Sequence, residues 1–245
     1  MLCRRGSGVD PNNGIDDTNM KNDSHKIHAV PTNIITGFLG VGKTTAILHL
    51  LKTKPANERW AILVNEFGEI GVDGSLFQGQ HSVEQNVFIR EVPGGCMCCA
   101  AGLPMQVALN QLLTRAKPDR LLIEPTGLGH PQEVLNTLST DYYRGILDLQ
   151  KILTLVDERK ISDERYTTHE IFNQQIAIAD IVVGNKLDLY QPEDNIRLER
   201  YVKQYGSAEA QVIFANNGEI AANCLFKKTS ATVKSHHHNS DDGKI

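Results

Sequence analysis

The sequence predicts an α/β fold: a doubly wound, mostly parallel sheet flanked by helices as a three-layer sandwich. Three observations carry the prediction. From residue 33 onward, short apolar runs alternate with longer amphipathic stretches, the pattern of buried parallel strands and their crossover helices. The first run leads directly into a glycine-rich turn, Gly37-Phe38-Leu39-Gly40-Val41-Gly42-Lys43-Thr44. Two later runs end in polar residues, at Glu124 and at Asn185, as expected where strand C-termini converge on a ligand.

Taken in order, residues 1–31 are polar, Asn/Asp/Gly-rich and aperiodic, and read as a disordered leader. A strand is expected at 33–36 and, after the glycine-rich turn, a helix at 43–52. Apolar runs predict strands at 61–65 and 87–92, and an amphipathic stretch predicts a helix at 103–115. A strand at 120–124 and a helix at 131–138 follow, then a strand at 152–157 and a helix at 168–179. The last pairs are a strand at 181–185, a helix at 193–204 and a strand at 211–215. After Asn217 the pattern fades. One domain over 32–217 is therefore expected, followed by a polar tail over 218–245 that contains His236-His237-His238.

The bulk properties fit an ordinary globular domain: 245 residues, 40% hydrophobic and 22% charged. A net charge of −4 makes no electrostatic case for nucleic acid or an anionic membrane, and no apolar run approaches a membrane span. The N-terminus lacks the apolar stretch of a signal peptide. Five cysteines, three of them clustered, suit a reducing cytosol better than a disulfide framework, with Cys3 and Cys224 as lone thiols.

The turn at 37–44 matches G-x-x-x-x-G-K-[ST] after a strand, the sequence pattern of a P-loop NTPase. Gly37, Gly40 and Gly42, with Val41 between them, let backbone N–H groups curl around phosphates without a Cβ in the way. Lys43 would reach the β and γ oxygens, the Thr44 hydroxyl would ligate Mg²⁺, and the helix starting at Lys43 presents its positive end to the same phosphates. Asn185-Lys186-Leu187-Asp188 follows an apolar strand. An aspartate there accepts the N1–H and exocyclic N–H of guanine, whereas adenine leaves it unpaired, a mismatch that discriminates by roughly 10⁴-fold. GTP is favoured over ATP. Glu124 ends another buried run and is placed to meet Mg²⁺ through water, with the Gly127 N–H sensing the γ-phosphate. Lys43, Thr44 and Glu124 are thus the candidate catalytic residues. Many small GTPases follow this glycine with a glutamine that orients the attacking water. Here the position is Leu128, which predicts slow intrinsic hydrolysis, below about 1 s⁻¹.

Cys96, Cys98 and Cys99 follow Pro93-Gly94-Gly95 at the end of a predicted strand. Thiolates are soft ligands for zinc, Cu(I) or Fe–S clusters, and they need a turn to converge on one point. Glu66 and Glu69, on a loop after the second strand, are candidates for a fourth ligand. Three buried structural thiols are the alternative. The histidines at 236–238 read equally as a metal-collecting tract or a tag remnant.

Five motifs, GFLGVGKTT at 37–45, NEFGEIGVDG at 65–74, PGGCMCC at 93–99, EPTGLGHP at 124–131 and NKLD at 185–188, resemble the CobW-like, GTP-dependent metallochaperones of the SIMIBI P-loop class, above all the YeiR subgroup. The resemblance implies that Mg–GTP binding organises the Cys-x-Cys-Cys site and that hydrolysis delivers the metal, zinc first, to a client protein. It carries over Cys96, Cys98 and Cys99 as metal ligands, and Glu66 as a switch-loop residue. It carries over Gly42, Lys43, Thr44, Thr45, Asn185, Lys186 and Asp188 as nucleotide contacts. Related GTPases dimerise across their nucleotide sites, implying a possible homodimer. Family members also continue past a His-rich linker into a further domain of about a hundred residues, a typical domain size. This chain stops near its histidines, so client-docking roles assigned to that domain fall outside these residues. The alternative to a metallochaperone is a metal sensor or store with incidental GTP binding.

Overall fold

The structure, a computed structural model, describes residues 27–65, 86–93, 97 and 102–232. Its described strands are β1 (Val30–Gly37), β2 (Trp60–Val64), β3 (Val87–Glu91), β4 (Arg120–Glu124), β5 (Leu147–Leu149), β6 (Leu153–Asp157), β7 (Ile181–Asn185) and β8 (Gln211–Ala215). They form one sheet in the order β3-β2-β4-β1-β6-β7-β8, with β5 pairing alongside the start of β1. Every strand pairing is parallel. The loops after β1, β2, β4 and β7 therefore leave the sheet at one end, and that geometry positions the site.

Alternation along the strands builds two cores. On one face, Ile35, Ile62, Val64, Leu122, Leu153 and Leu155 pack with Ala46, Ile47 and Leu50 of α1 (Lys43–Thr53). On the other, Ile34, Ala61, Leu63, Leu121 and Ile123 meet α2 (Leu103–Ala116) and α3 (Pro131–Leu138). That helical layer continues past a single turn, α4 (Asp141–Arg144), and another, α5 (Glu164–Thr167). It ends with α6 (Glu170–Ala177) and α7 (Pro192–Tyr205), whose Phe172, Ile176, Leu198 and Val202 cover Val156 and Val182. The three-layer sandwich expected from the sequence is present. Each fully buried Leu or Ile here contributes about 1.5–3 kcal/mol of transfer free energy.

The expected strands and long helices fall within a few residues of their places. Two differences lie at the margins. β1 starts at Val30, inside the stretch read as a leader. Its first residues pair with β5, a strand the sequence pattern does not register. Three residues are too few to show a period, and Pro31 interrupts the apolar run. The helix expected at 168–179 is also shorter, because His169 caps α6 by accepting the Ile171 N–H at 3.3 Å.

The chain keeps packing past Asn217. Ile220 and Leu225 are buried in the α1-side core. The Lys151 N–H donates to the Lys227 carbonyl at 3.0 Å. Both oxygens of buried Asp180 accept from this segment: Thr229 Oγ1 at 2.6 Å on one, Ser230 N and Oγ at 2.7 Å on the other. The Arg120 guanidinium lies over the rings of Trp60 and Phe226 at 5.7 and 5.1 Å and donates to Asn33 Oδ1 at 2.7 Å. Residues 1–26 and 233–245, with Cys3 and the three histidines, lie outside the described residues.

Candidate functional site

The phosphate-loop signature forms the turn between β1 and α1. Gly42 caps α1 with φ +97°, a left-handed conformation that L side chains avoid. A Cβ there would sit 2.5 Å from Asn185 Nδ2. Lys43 is buried and its Nζ donates to the Phe38 carbonyl at 3.2 Å, while Thr45 is exposed on the first turn of α1. Thr44 Oγ1 donates to Glu124 Oε1 at 3.2 Å. Glu124 is buried at the end of β4, so a carboxylate and a hydroxyl meet beside the loop.

From Glu124 a line of hydrogen bonds leads to the cysteine motif. The Asn65 N–H donates to the Glu124 carbonyl at 3.2 Å, and Asn65 Oδ1 accepts the Met97 N–H at 2.9 Å. Asn65 and Met97 are both buried, 4% and 1% exposed. Asn65 immediately precedes the expected switch loop, and Met97 sits between Cys96 and Cys98. Those two cysteines, Cys99, Glu66 and Glu69 lie outside the described residues. Among the described residues no group of three His, Cys, Asp or Glu side chains could hold a metal. Cys224 is a free thiol packed against the α1-side core, and burial pushes its pKa up.

At the other side of the loop, Asn185 spans two segments. Its Nδ2 donates to the Val41 carbonyl at 2.8 Å and its Oδ1 accepts the Gly218 N–H at 3.0 Å. Both ends of the amide are thus engaged with the protein, bracing the loop that follows β7 against the phosphate loop. Lys186, at φ +67°, places Nζ 3.3 Å from Asp157 Oδ2. Burial works against the Asp157 carboxylate, but Arg159 and Lys186 outweigh it and hold its pKa below the ordinary value. Asp188 is exposed, and its backbone N–H donates to Asn216 Oδ1 at 2.8 Å. The Tyr190 hydroxyl accepts the Glu158 N–H at 2.9 Å and donates to the Asn185 carbonyl, tying the ends of β6 and β7 together.

The turn after β4 packs on the phosphate loop. A Cβ on Gly127 would lie 2.9 Å from the Leu39 nitrogen, so no side chain fits. The Gly127 carbonyl accepts from Gln175 Nε2 of α6 at 3.0 Å, and His130 Nδ1 lies 3.1 Å from Gln174 Oε1. The sequence motifs give no role to Asn216, Gln175 or Tyr190, and carry Asn65 only as the first residue of the 65–74 motif. Asn216 and Asn65 do leave a signal, since each directly follows a strand whose C-terminal end faces the site. Gln175 carries no such signal inside a helix.

Residues 31–214 match the family model described as CobW/HypB/UreG, nucleotide-binding domain. The chain is 50% identical over 194 residues to the zinc chaperone YeiR of Escherichia coli K12, covering 79% of this chain and 57% of that protein. It is 30% identical over 239 residues to the zinc chaperone CobW of a Sinorhizobium species, covering 85% and 67%. The chain thus spans a little over half of the length of its YeiR relative. Among solved structures, Zn(II)-bound YjiA GTPase from E. coli superposes with a TM-score of 0.56 at 24% identity, covering 86% of this chain and 67% of that one. Nickel-bound HypB from Helicobacter pylori gives 0.52 at 16% identity, covering 77% and 80%. At those identities the structural likeness speaks to the fold.

Proposed function

The chain belongs to the CobW/HypB/UreG nucleotide-binding family, and from that premise we propose that it is a GTPase that couples Mg–GTP binding to capture of zinc and its delivery to a client protein. The observation that carries this reading is the path Thr44–Glu124–Asn65–Met97. Four residues from the phosphate loop to the centre of the cysteine motif are joined by hydrogen bonds of 2.9–3.2 Å. A change at the phosphates that moves Glu124 or Asn65 is felt at Met97, and through its peptide neighbours at Cys96 and Cys98.

In this reading, the Gly37–Thr45 turn and Lys43 bind the phosphates, and the Asp188 carboxylate accepts the guanine N–H donors. Asn185 and Lys186 support that base loop, through Val41 and Gly218 on one side and Asp157 on the other. The Thr44 hydroxyl and Glu124 carboxylate are hard oxygen donors held together, which suits Mg²⁺. Bound there, the ion would neutralise charge developing on the phosphate oxygens. Cys96, Cys98 and Cys99, with Glu66, would take up zinc as cargo. Leu128 is exposed where a water-orienting glutamine would stand, so turnover of the isolated chain should stay below about 1 s⁻¹. The same reading includes a cytoplasmic setting, where thiols stay reduced. It also includes a homodimer across the nucleotide site, by analogy with related GTPases.

Linkage makes the proposal measurable: if Mg–GTP tightens zinc binding by some factor, zinc must tighten GTP binding equally. Zinc is titrated against a competing chelator in the apo state, with Mg–GDP and with a non-hydrolysable GTP analogue. Tighter binding with the analogue is expected, and Cys98→Ser should abolish it. Equal affinity in all three states would identify a store with incidental nucleotide binding.

A further inference from the structure

We infer that Gln175 is a positioning residue for the terminal phosphate of GTP, acting through the turn at Gly127. This rests on the GTPase reading above. Gln175 is 1% exposed and lies in the layer opposite α1. Its backbone carbonyl accepts from Thr154 Oγ1 of β6 at 2.7 Å, which fixes the residue to the sheet. Its side-chain Nε2 donates to the Gly127 carbonyl at 3.0 Å. The peptide linking Gly127 to Leu128 is planar and trans, so a carbonyl held toward α6 sends the Leu128 N–H the opposite way, off the helix. One buried amide therefore sets the direction of the Leu128 N–H, the donor that follows the Gly127 N–H in this turn.

Gly127 also lies close against the phosphate loop, whose Phe38–Leu39 backbone stands 2.9–3.0 Å from where a Cβ would be. The same helix that carries Gln175 reaches that loop from beneath, with the rings of His169 and Phe172 edge-on to Phe38 at 5.1 and 6.2 Å. A second strap, His130 to Gln174, ties the far end of the turn to α6. The helix thus backs both the loop that holds phosphate and the turn that tests for its last member. Gln175 Oε1 is buried and has no hydrogen-bond partner among the described residues. A structural glutamine meant only to fill space would not need its donor end aimed at this carbonyl while its acceptor stays unpaired.

The test compares unaltered chain with Gln175→Met, which keeps the length and loses the donor. Affinities for Mg–GDP and for a non-hydrolysable Mg–GTP analogue are measured by fluorescent-nucleotide displacement, beside the thermal midpoint. Preference for the triphosphate should fall about tenfold, the reach of one buried hydrogen bond, with Mg–GDP affinity held. An unchanged triphosphate-to-diphosphate ratio, or an equal loss for both nucleotides, overturns the inference and leaves the GTPase reading intact. Failure of the unaltered chain to bind either nucleotide overturns that reading and this inference with it. If Gln175→Met does not fold, Gln175→Glu replaces it. An ionised carboxylate has no donor for Gly127 and a protonated one does, so the ratio must recover on acidification; a ratio independent of pH refutes the role.

Discussion

Asn65→Ala isolates the proposed coupling from both binding events. The substitution removes the Oδ1 that accepts the Met97 N–H at 2.9 Å, in a place where Met97 is 1% exposed and water does not substitute. The backbone bond from Asn65 N–H to the Glu124 carbonyl is untouched, so β2 and β4 stay joined. Leaving a buried N–H without its acceptor costs about 1–3 kcal/mol. If that bond forms fully only when the GTP-bound arrangement is in place, the cost appears as lost coupling. At 1.4 kcal/mol per decade it is a factor of roughly 5–150. In the chelator competition, the zinc affinity gained on adding the GTP analogue should shrink by that factor, while apo affinity changes little. Reciprocity requires zinc-induced tightening of GTP to shrink equally. Asn65→Asp, which retains an acceptor oxygen, should keep most of the coupling. A folded Asn65→Ala protein with the full nucleotide effect on zinc would refute the path.

Gly42→Ala should weaken nucleotide binding by tenfold or more and lower the thermal midpoint. A left-handed Cβ costs about 1–2 kcal/mol, and at 2.5 Å from Nδ2 it drives Asn185 off the Val41 carbonyl. Unchanged affinity in a fluorescent-GTP titration would contradict this. Stability should also depend on pH through Glu158, which is fully buried with neither carboxylate oxygen partnered among the described residues. Burial first, then Asp194, Asp157 and Glu199 against the opposing Arg197, push its pKa from 4.5 to about 7. The folded state then holds a proton that the unfolded chain releases, so stability falls as pH rises from 4.5 to about 7 and stays reduced above. Glu158→Gln should flatten that fall in thermal midpoints recorded at pH 5 and pH 8. An identical slope in the variant would remove Glu158 as its cause.

The parallel strands were legible because burial on both faces leaves continuous apolar runs such as Trp60–Val64 and Ile181–Asn185, which need no periodicity to stand out. β5 and α4 leave no mark in the sequence because three and four residues cannot display a period. The stretch after Asn217 read as loose because Ile220 and Leu225 are isolated apolar residues in a polar segment. Their burial depends on α1 and the sheet, not on neighbours in sequence. At the site, motif spacing reached Gly42, Lys43, Thr44, Glu124 and Asn185. It did not reach what joins them. Asn65 and Gln175 act through single amide contacts with residues 32 and 48 positions away, and no local pattern records such pairings.

The segment after β8 begins beside the phosphate loop, where Gly218 lies against Ala46, and crosses to the far end of the sheet, where Thr229 and Ser230 grip Asp180. Past an exposed 3.4 Å contact from Gln132 Nε2 to the Thr232 carbonyl, a pull on whatever extends beyond residue 232 is taken by that carboxylate, then by the Arg120–Phe226 stack, and only afterwards by Gly218. The anchorage works in series, like successive cleats on a rope. Its load is shed at the end of the sheet remote from the Thr44–Glu124 pair, so traction on the trailing chain need not disturb the nucleotide loops.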